Sequence, residues 1–359
     1  MLYTETYGQQ RKPGLSGVMR VRNEARMIES CIDSVIDALD ELIVVCNDCT
    51  DDTPAILERK VKQYPNKLRV FTYNHKVLSF EMSDEEYELA LTLPDDSPRL
   101  YCNQCNYGLA QARFSYVVKI DTDQNYFEAE VKKLRDICAK EIRVKWNFCL
   151  ICGWIFMVYF TLYRRVSTLI GTPQLWMIPD WLISLFYGPY ERLAQYKLSK
   201  GTAAISLSGV NLFKDEQWFV PCDIYNAHFP YNGSGDTVIF KLSEKTFFTR
   251  YPNKVYNSVT EHFNHPYKVM YTGPVWFHQH ANRVQCWGKV KNVKDKYPEM
   301  FVTIGDFLMM SYKDIHKKMG ESHMTLHSRI LFALIHKVGK GCVKRNVDIL
   351  KRLDDINLS

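Results

Sequence analysis

Residues Leu42-Ile43-Val44-Val45-Cys46 form an apolar run with no polar interruption. A strand with one wet face alternates in polarity, so an unbroken run of this length belongs on a strand buried from both sides. That is the position of an inner strand in a parallel sheet covered by helices. The neighbouring sequence agrees. Ser16 to Val21 reads as a strand, and Glu24 to Leu39 as a helix with Ile28, Cys31, Ile32, Val35, Ile36 and Leu39 on one face. Thr53 and Pro54 open a second helix running to about Lys62, and Leu68 to Tyr73 is a further strand. Leu78 to Arg99, acidic and proline-containing, reads as a surface loop. Asn103 to Arg113 suits a helix, and Tyr116 to Ile120 a strand that runs into Asp121. This alternation predicts an α/β fold with a mostly parallel central sheet.

The second half is less regular. After a charged helix at Glu128 to Lys140, Trp146 to Tyr163 carries no charge, and Val166 to Tyr190 carries only Asp180. Three readings fit this aromatic insertion: helices lying in a membrane interface, a tight transmembrane hairpin, or ordinary core. Sheet signals resume at Ala203 to Phe213, and helices fill the C-terminal region. The net charge of +6 is concentrated there: from Arg283 onward 15 Lys and Arg face 8 Asp and Glu. A basic end on a nearly neutral body points to an anionic partner such as phospholipid; no nucleic-acid-binding motif is present. Hydrophobic residues at 46% exclude a disordered chain. Met1 to Leu15 lacks the apolar stretch of a secretory signal, so the eleven cysteines are expected to be reduced thiols in the cytoplasm. The pairs Cys46/Cys49, Cys102/Cys105 and Cys149/Cys152 have C-x-x-C spacing. They leave open a minor reading, a non-catalytic zinc-stapled binding protein.

Three motifs follow strands. Val117-Val118-Lys119-Ile120-Asp121-Thr122-Asp123 places two carboxylates beyond the carboxyl end of an apolar strand, where open α/β sheets bind ligands. Carboxylates one residue apart can hold a hard divalent cation that neutralises a departing diphosphate. Asn47-Asp48-Cys49-Thr50-Asp51-Asp52-Thr53 follows the buried run and offers acceptors for a base and a ribose, although helix capping accounts for one or two of these residues. In Met19-Arg20-Val21-Arg22-Asn23-Glu24, Arg20 or Arg22 can meet a phosphate and Glu24 a ribose hydroxyl.

In this order the motifs resemble the nucleotide-sugar domain of GT-A fold glycosyltransferases. Within that superfamily the chain is most similar to the inverting family 2 enzymes and to bacterial lipooligosaccharide β-1,4-N-acetylgalactosaminyltransferases. Residues 17 to about 127 carry the likeness, and a thinner thread runs through Tyr231-Asn232-Gly233-Ser234-Gly235-Asp236 and Trp276-Phe277-His278-Gln279-His280. The usual Asp-Asp-Gly-Ser cluster is altered here, with Asn47 in place of the first Asp and Cys49 in the turn. The resemblance implies a Rossmann-like GT-A sheet with a hydrophobic helical insertion and a helical C-terminal region. Residues 1–141 would be its nucleotide-sugar half, 142–200 the insertion, 201–283 the acceptor half and 284–359 the basic helical end. It further implies a UDP-sugar donor, with Asp48 on the uracil, Glu24 near the ribose, and Asp121 and Asp123 on the metal. His278, or alternatively His280, would complete the metal site. Histidine favours Mn²⁺ over Mg²⁺. Asp236, which follows Gly233-Ser234-Gly235 and is expected at a helix start before the apolar Val238 to Phe240, is the expected general base, with Asp223 and Glu261 as rivals. The acceptor would be a glycan or glycolipid at the inner face of the cell membrane; transfer to a polyprenyl phosphate is the alternative.

Overall fold

The computed structural model describes residues 4–170, 180–222, 229–319 and 326–354. In chain order the strands are β1 (Lys12–Val21), β2 (Glu41–Cys46), β3 (Leu68–Thr72), β4 (Phe114–Ile120), β5 (Gln124–Tyr126), β6 (Ala203–Asn211) and β7 (Phe213–Asp215). They continue as β8 (Gln217–Pro221), β9 (Tyr231–Lys241), β10 (Phe247–Asn253), β11 (Ser258–Asn264), β12 (Lys268–Thr272), β13 (Trp276–His278) and β14 (Phe301–Thr303). The helices of the first half are α1 (Thr4–Tyr7), α2 (Ile28–Val35), α3 (Thr53–Gln63), α4 (Asp84–Thr92), α5 (Tyr101–Ala110) and α6 (Glu128–Cys138). Those of the second are α7 (Phe148–Ile170), α8 (Asp180–Ser199), α9 (Val284–Lys296), α10 (Ile304–Met309), α11 (Tyr312–Met319), α12 (Leu326–Asn346) and α13 (Asp348–Asp354).

A nine-stranded sheet has the order β3-β2-β1-β4-β9-β6-β13-β5, with β12 also paired to β6. β1 to β4 run parallel, and β12 and β13 run parallel to β6; β9 is antiparallel to both β4 and β6. This is the α/β architecture expected of the GT-A class. All six residues of β2 are buried. Leu42, Val44 and Cys46 face a core shared with α2, α3 and α6, whereas Ile43 and Val45 face one shared with α5. Each such side chain stabilises the sheet by roughly 1.5–3 kcal/mol. β10 and β11 form a hairpin, and β7, β8 and β14 form a small separate sheet.

Several sequence expectations change. The helix expected from Glu24 starts at Ile28; before it, Glu24 N–H and Ala25 N–H donate to Thr53 Oγ1 and Asp51 Oδ2, which ties this turn to the adjacent loop. Leu78 to Arg99 is not a plain loop. Ser83 Oγ accepts from Glu86 N–H at 3.2 Å while the Glu86 carboxylate accepts from Ser83 N–H at 3.4 Å, a capping box that starts α4. Asp236 lies inside β9 rather than at a helix start. The residues after it, Thr237-Val238-Ile239-Phe240, are β-branched and aromatic and fill the gap between β4 and β6. The aromatic insertion becomes α7 and α8, whose inner residues Leu150, Phe156, Met157 and Tyr190 join the main core. No described helix is long and apolar enough to cross a membrane.

Candidate functional site

The carboxyl ends of β1 and β4 open on a cleft of about 980 Å³. Its lining includes Arg20, Arg22, Glu24, Asp121, Asp123, Asn232, Glu261, His278, His280 and Arg283. Two polar clusters occupy it.

The first is built by β5. That strand is antiparallel to β13 with His278 opposite Gln124, so β13 delivers His278 beside Asp123. Gln279 N–H donates to the Asp123 carbonyl at 2.7 Å and holds the following turn in place. Asp123 Oδ1 lies 3.5 Å from His278 Nε2, and Oδ2 lies 3.4 Å from His280 Nδ1 and 3.0 Å from Arg283 Nε. Burial would push the Asp123 carboxyl up, but His278, His280 and Arg283 prevail and hold it well below the usual carboxylate range. His280, half exposed, is drawn up to about 9 by hydrogen bonds with Asp123 and Cys286. Arg283 also donates to Glu24 at 2.9 Å, yet burial prevails there and raises the Glu24 carboxyl.

Among the described residues, Asp123, His278 and His280 are the group of His, Cys, Asp and Glu whose ligand atoms all lie within 4.8 Å of one another. No cysteine belongs to it, so the C-x-x-C pairs build no such zinc cluster. The group suits a divalent cation. Asn211 Nδ2 donates to the Phe229 carbonyl at 2.6 Å, which turns Oδ1 toward His278 Nδ1, also at 2.6 Å. An amide oxygen only accepts, so Nδ1 carries a proton, and Nε2, on the Asp123 side, is the nitrogen left to hold a cation. Neighbouring ligands on an octahedral ion with bonds of about 2.1 Å sit about 3 Å apart; the two histidine nitrogens lie 3.5 and 3.4 Å from the Asp123 oxygens, and the whole group, within 4.8 Å, draws closer to hold an ion.

The second cluster places Asp121 differently from the expectation of two aspartates on one cation. Asp121 Oδ1 accepts from Arg20 at 2.9 Å and Oδ2 lies 3.2 Å from Lys119, while Glu261 meets Arg20 at 2.7 Å and Lys119 at 3.2 Å. Arg20 is buried and also lies over the Tyr101 ring, 4.8 Å from its centre. Burial opposes ionisation of Glu261, yet Arg20 and Lys119 hold its carboxyl down at about 2. The structure thus brings Asp123 together with His278 and His280, and Asp121 together with Arg20.

The two remaining loops are pinned to each other. Asn23 accepts from Thr50 N–H at 2.7 Å, and Asp51 accepts from Thr53 N–H and Ala25 N–H at 3.0 Å each. Asn47 donates to the Tyr73 and His75 carbonyls. Asp48, with a positive φ of 47°, instead points outward toward Arg22 at 3.4 Å, and both are exposed. The Asp236 side chain and all of Asp223 lie outside the described residues. Neither Arg283 nor Asn211 is among the site residues that the sequence predicts. Asn211 ends the apolar strand β6 as Asp121 follows β4, which was a usable signal; nothing in the sequence singled out Arg283.

Residues 16–77 match the family model of Glycosyl transferase family 2. Among solved structures, glucosyl-3-phosphoglycerate synthase from Mycobacterium tuberculosis, in complex with Mn²⁺, UDP-glucose and phosphoglyceric acid, is 26% identical over 36% of this chain and 40% of that chain, with a TM-score of 0.23. The same synthase in complex with UDP is 25% identical over 37% of this chain and 42% of that chain, with a TM-score of 0.24. The chain thus spans about two fifths of these structures. No curated protein matches the chain.

Proposed function

We propose that the chain is an inverting, metal-dependent glycosyltransferase that takes a UDP-sugar, with GalNAc, GlcNAc or galactose, and delivers the sugar to a glycan or glycolipid acceptor in surface lipooligosaccharide or polysaccharide synthesis. One observation carries the reading: Asp123, His278 and His280 converge in a cleft that is also lined by Arg20, Arg22 and Glu24 of the segment 16–77, which matches glycosyl transferase family 2. We assign the donor side to residues 1–141 and the acceptor side to 201–283, with 142–200 and 284–359 as appendages.

In this reading Asp123 and His278 hold Mn²⁺, or Mg²⁺, with His280 beside them. The cation neutralises charge on the departing diphosphate. Arg20 and Arg22 face the phosphates, Glu24 the ribose, and Asp48 the uracil. Asp121, held between Arg20 and Lys119, orients those cations for the donor. Asp236 takes the proton from the acceptor hydroxyl. Its strand supports this role, because Asn232 and Val238 on either side both line the cleft. Glu261, ion-paired and held at about 2, is poorly suited to accept a proton. We place the work at the inner face of the cell membrane.

UDP release from a panel of UDP-sugars, with Mn²⁺ or with EDTA, tests the proposal. Asp123→Ala should lower Mn²⁺-dependent turnover by about 100-fold or more; undiminished turnover in EDTA sinks the metal role. Asp236→Asn should lower kcat by about 10²–10⁴-fold while leaving UDP affinity intact; a variant with wild-type kcat would remove Asp236 from the mechanism. Transfer to a polyprenyl phosphate differs in its product, a sugar phosphodiester rather than a glycosidic bond, which mass spectrometry distinguishes.

A further inference from the structure

We propose that the outer face of α7 is a lipid-binding surface that lies in the plane of an anionic bilayer. Phe148, Ile155, Tyr159, Leu162, Val166 and Leu169 succeed one another in steps of three, four or seven, so they form one stripe along the helix. The stripe extends about 30 Å at 1.5 Å per residue. All six are exposed, Phe148 at 77% and Leu169 at 86%. Such a face is the reverse of an ordinary surface helix, which turns its polar side outward.

The charges beside it select the occupant. From Ile142 to Ile170 the sequence carries Arg143, Lys145, Arg164 and Arg165 and no Asp or Glu. Arg143, Lys145 and Arg165 are exposed, and so are Trp146 at 57% and Trp154 at 50%. Aromatic rings with basic neighbours suit the headgroup region of a bilayer containing acidic lipids. A second copy of the chain suits it poorly, since pairing two such faces sets Arg143, Lys145 and Arg165 against their equivalents, while residues 142–170 carry no carboxylate and the adjoining Glu141 is engaged by Arg135. The helix lies along the surface and does not enter it end-on: Leu150, Phe156 and Met157 on its inner side are packed into the protein core. The surface goes beyond the catalytic reading and shares with it only the choice of a membrane as the workplace.

The full chain should co-sediment with vesicles of phosphatidylcholine and phosphatidylglycerol (70:30), with a blue shift in tryptophan emission, and bind pure phosphatidylcholine vesicles about tenfold more weakly. Two variants separate the contributions: Phe148→Ser with Leu162→Ser, and Arg143→Gln with Lys145→Gln. Each should weaken binding to the acidic vesicles by about tenfold or more while leaving the circular dichroism spectrum unchanged. The proposal is overturned by a wild-type chain that stays in the supernatant with acidic vesicles, or by variants that bind as well as wild type. A vesicle-free dimer dissolved by the serine variant also overturns it, because another copy then covers the face. UDP release without vesicles reads the catalytic proposal separately, so one failure is not mistaken for the other.

Discussion

Asn211 determines which nitrogen of His278 is available, and so what the Asp123 cluster can do. With Oδ1 accepting from Nδ1–H at 2.6 Å, Nε2 is the nitrogen left on the Asp123 side for a cation to take. Alanine at this position leaves the ring free to turn or to change tautomer. Asn211→Ala should therefore weaken Mn²⁺ binding by about 10–100-fold, as measured by titration calorimetry; unchanged affinity would show that Asn211 does not orient the ligand. At this scale the sequence was partly legible. Asp123 and His278 stood out by residue type and by their place after apolar runs. The separation of Asp121 from them was hidden, because it depends on Arg20 and Glu261, which are 241 residues apart.

Among the elements, α7 and α8 approach each other backbone to backbone. A Cβ on Gly153 would lie 2.2 Å from the Pro189 carbonyl oxygen, a backbone atom that a side-chain rotation cannot relieve. Gly153→Val should destabilise the protein by about 1–3 kcal/mol, read as a lower urea midpoint; an unshifted midpoint would contradict the close approach. Local chemistry announced other elements clearly. The capping box at Ser83 was present as Ser-x-x-Glu, yet the surrounding acidic residues and prolines masked it. Gly-Ser-Gly-Asp before an apolar stretch looks like a helix cap, yet it lies within the strand β9. Its strand state follows from filling the gap between β4 and β6.

Over the whole molecule, α12 is joined to the sheet by a buried imidazole. Tyr231 Oη and His336 Nδ1 are 2.6 Å apart, and His336 Nε2 lies 2.9 Å from the Met310 carbonyl. The neutral ring satisfies both, donating from Nε2 and accepting at Nδ1. Burial pushes His336 down to about 4 from its ordinary 6.5. The unfolded chain therefore binds the proton first, so this contribution is complete above about pH 6.5 and is lost as pH falls toward 4, by about 3 kcal/mol. Urea unfolding at pH 7 and pH 4.5 should show a smaller acid loss in His336→Gln than in wild type; equal losses would dismiss the role.

The sequence by itself determined the parallel α/β half. Leu42 to Cys46 can be buried only between two layers of helices, and three of the four strands of this half run into a polar motif at the carboxyl end, so there local pattern and ligand position are the same information. Only the tertiary structure decided how those motifs combine. The pairing of β13 with β5 sets His278 opposite Gln124 across more than 150 residues of chain, and no local period encodes that register. It decided likewise that α7 would bury one side and leave an apolar stripe outside, since a helix apolar on both faces does not itself specify which face meets the core.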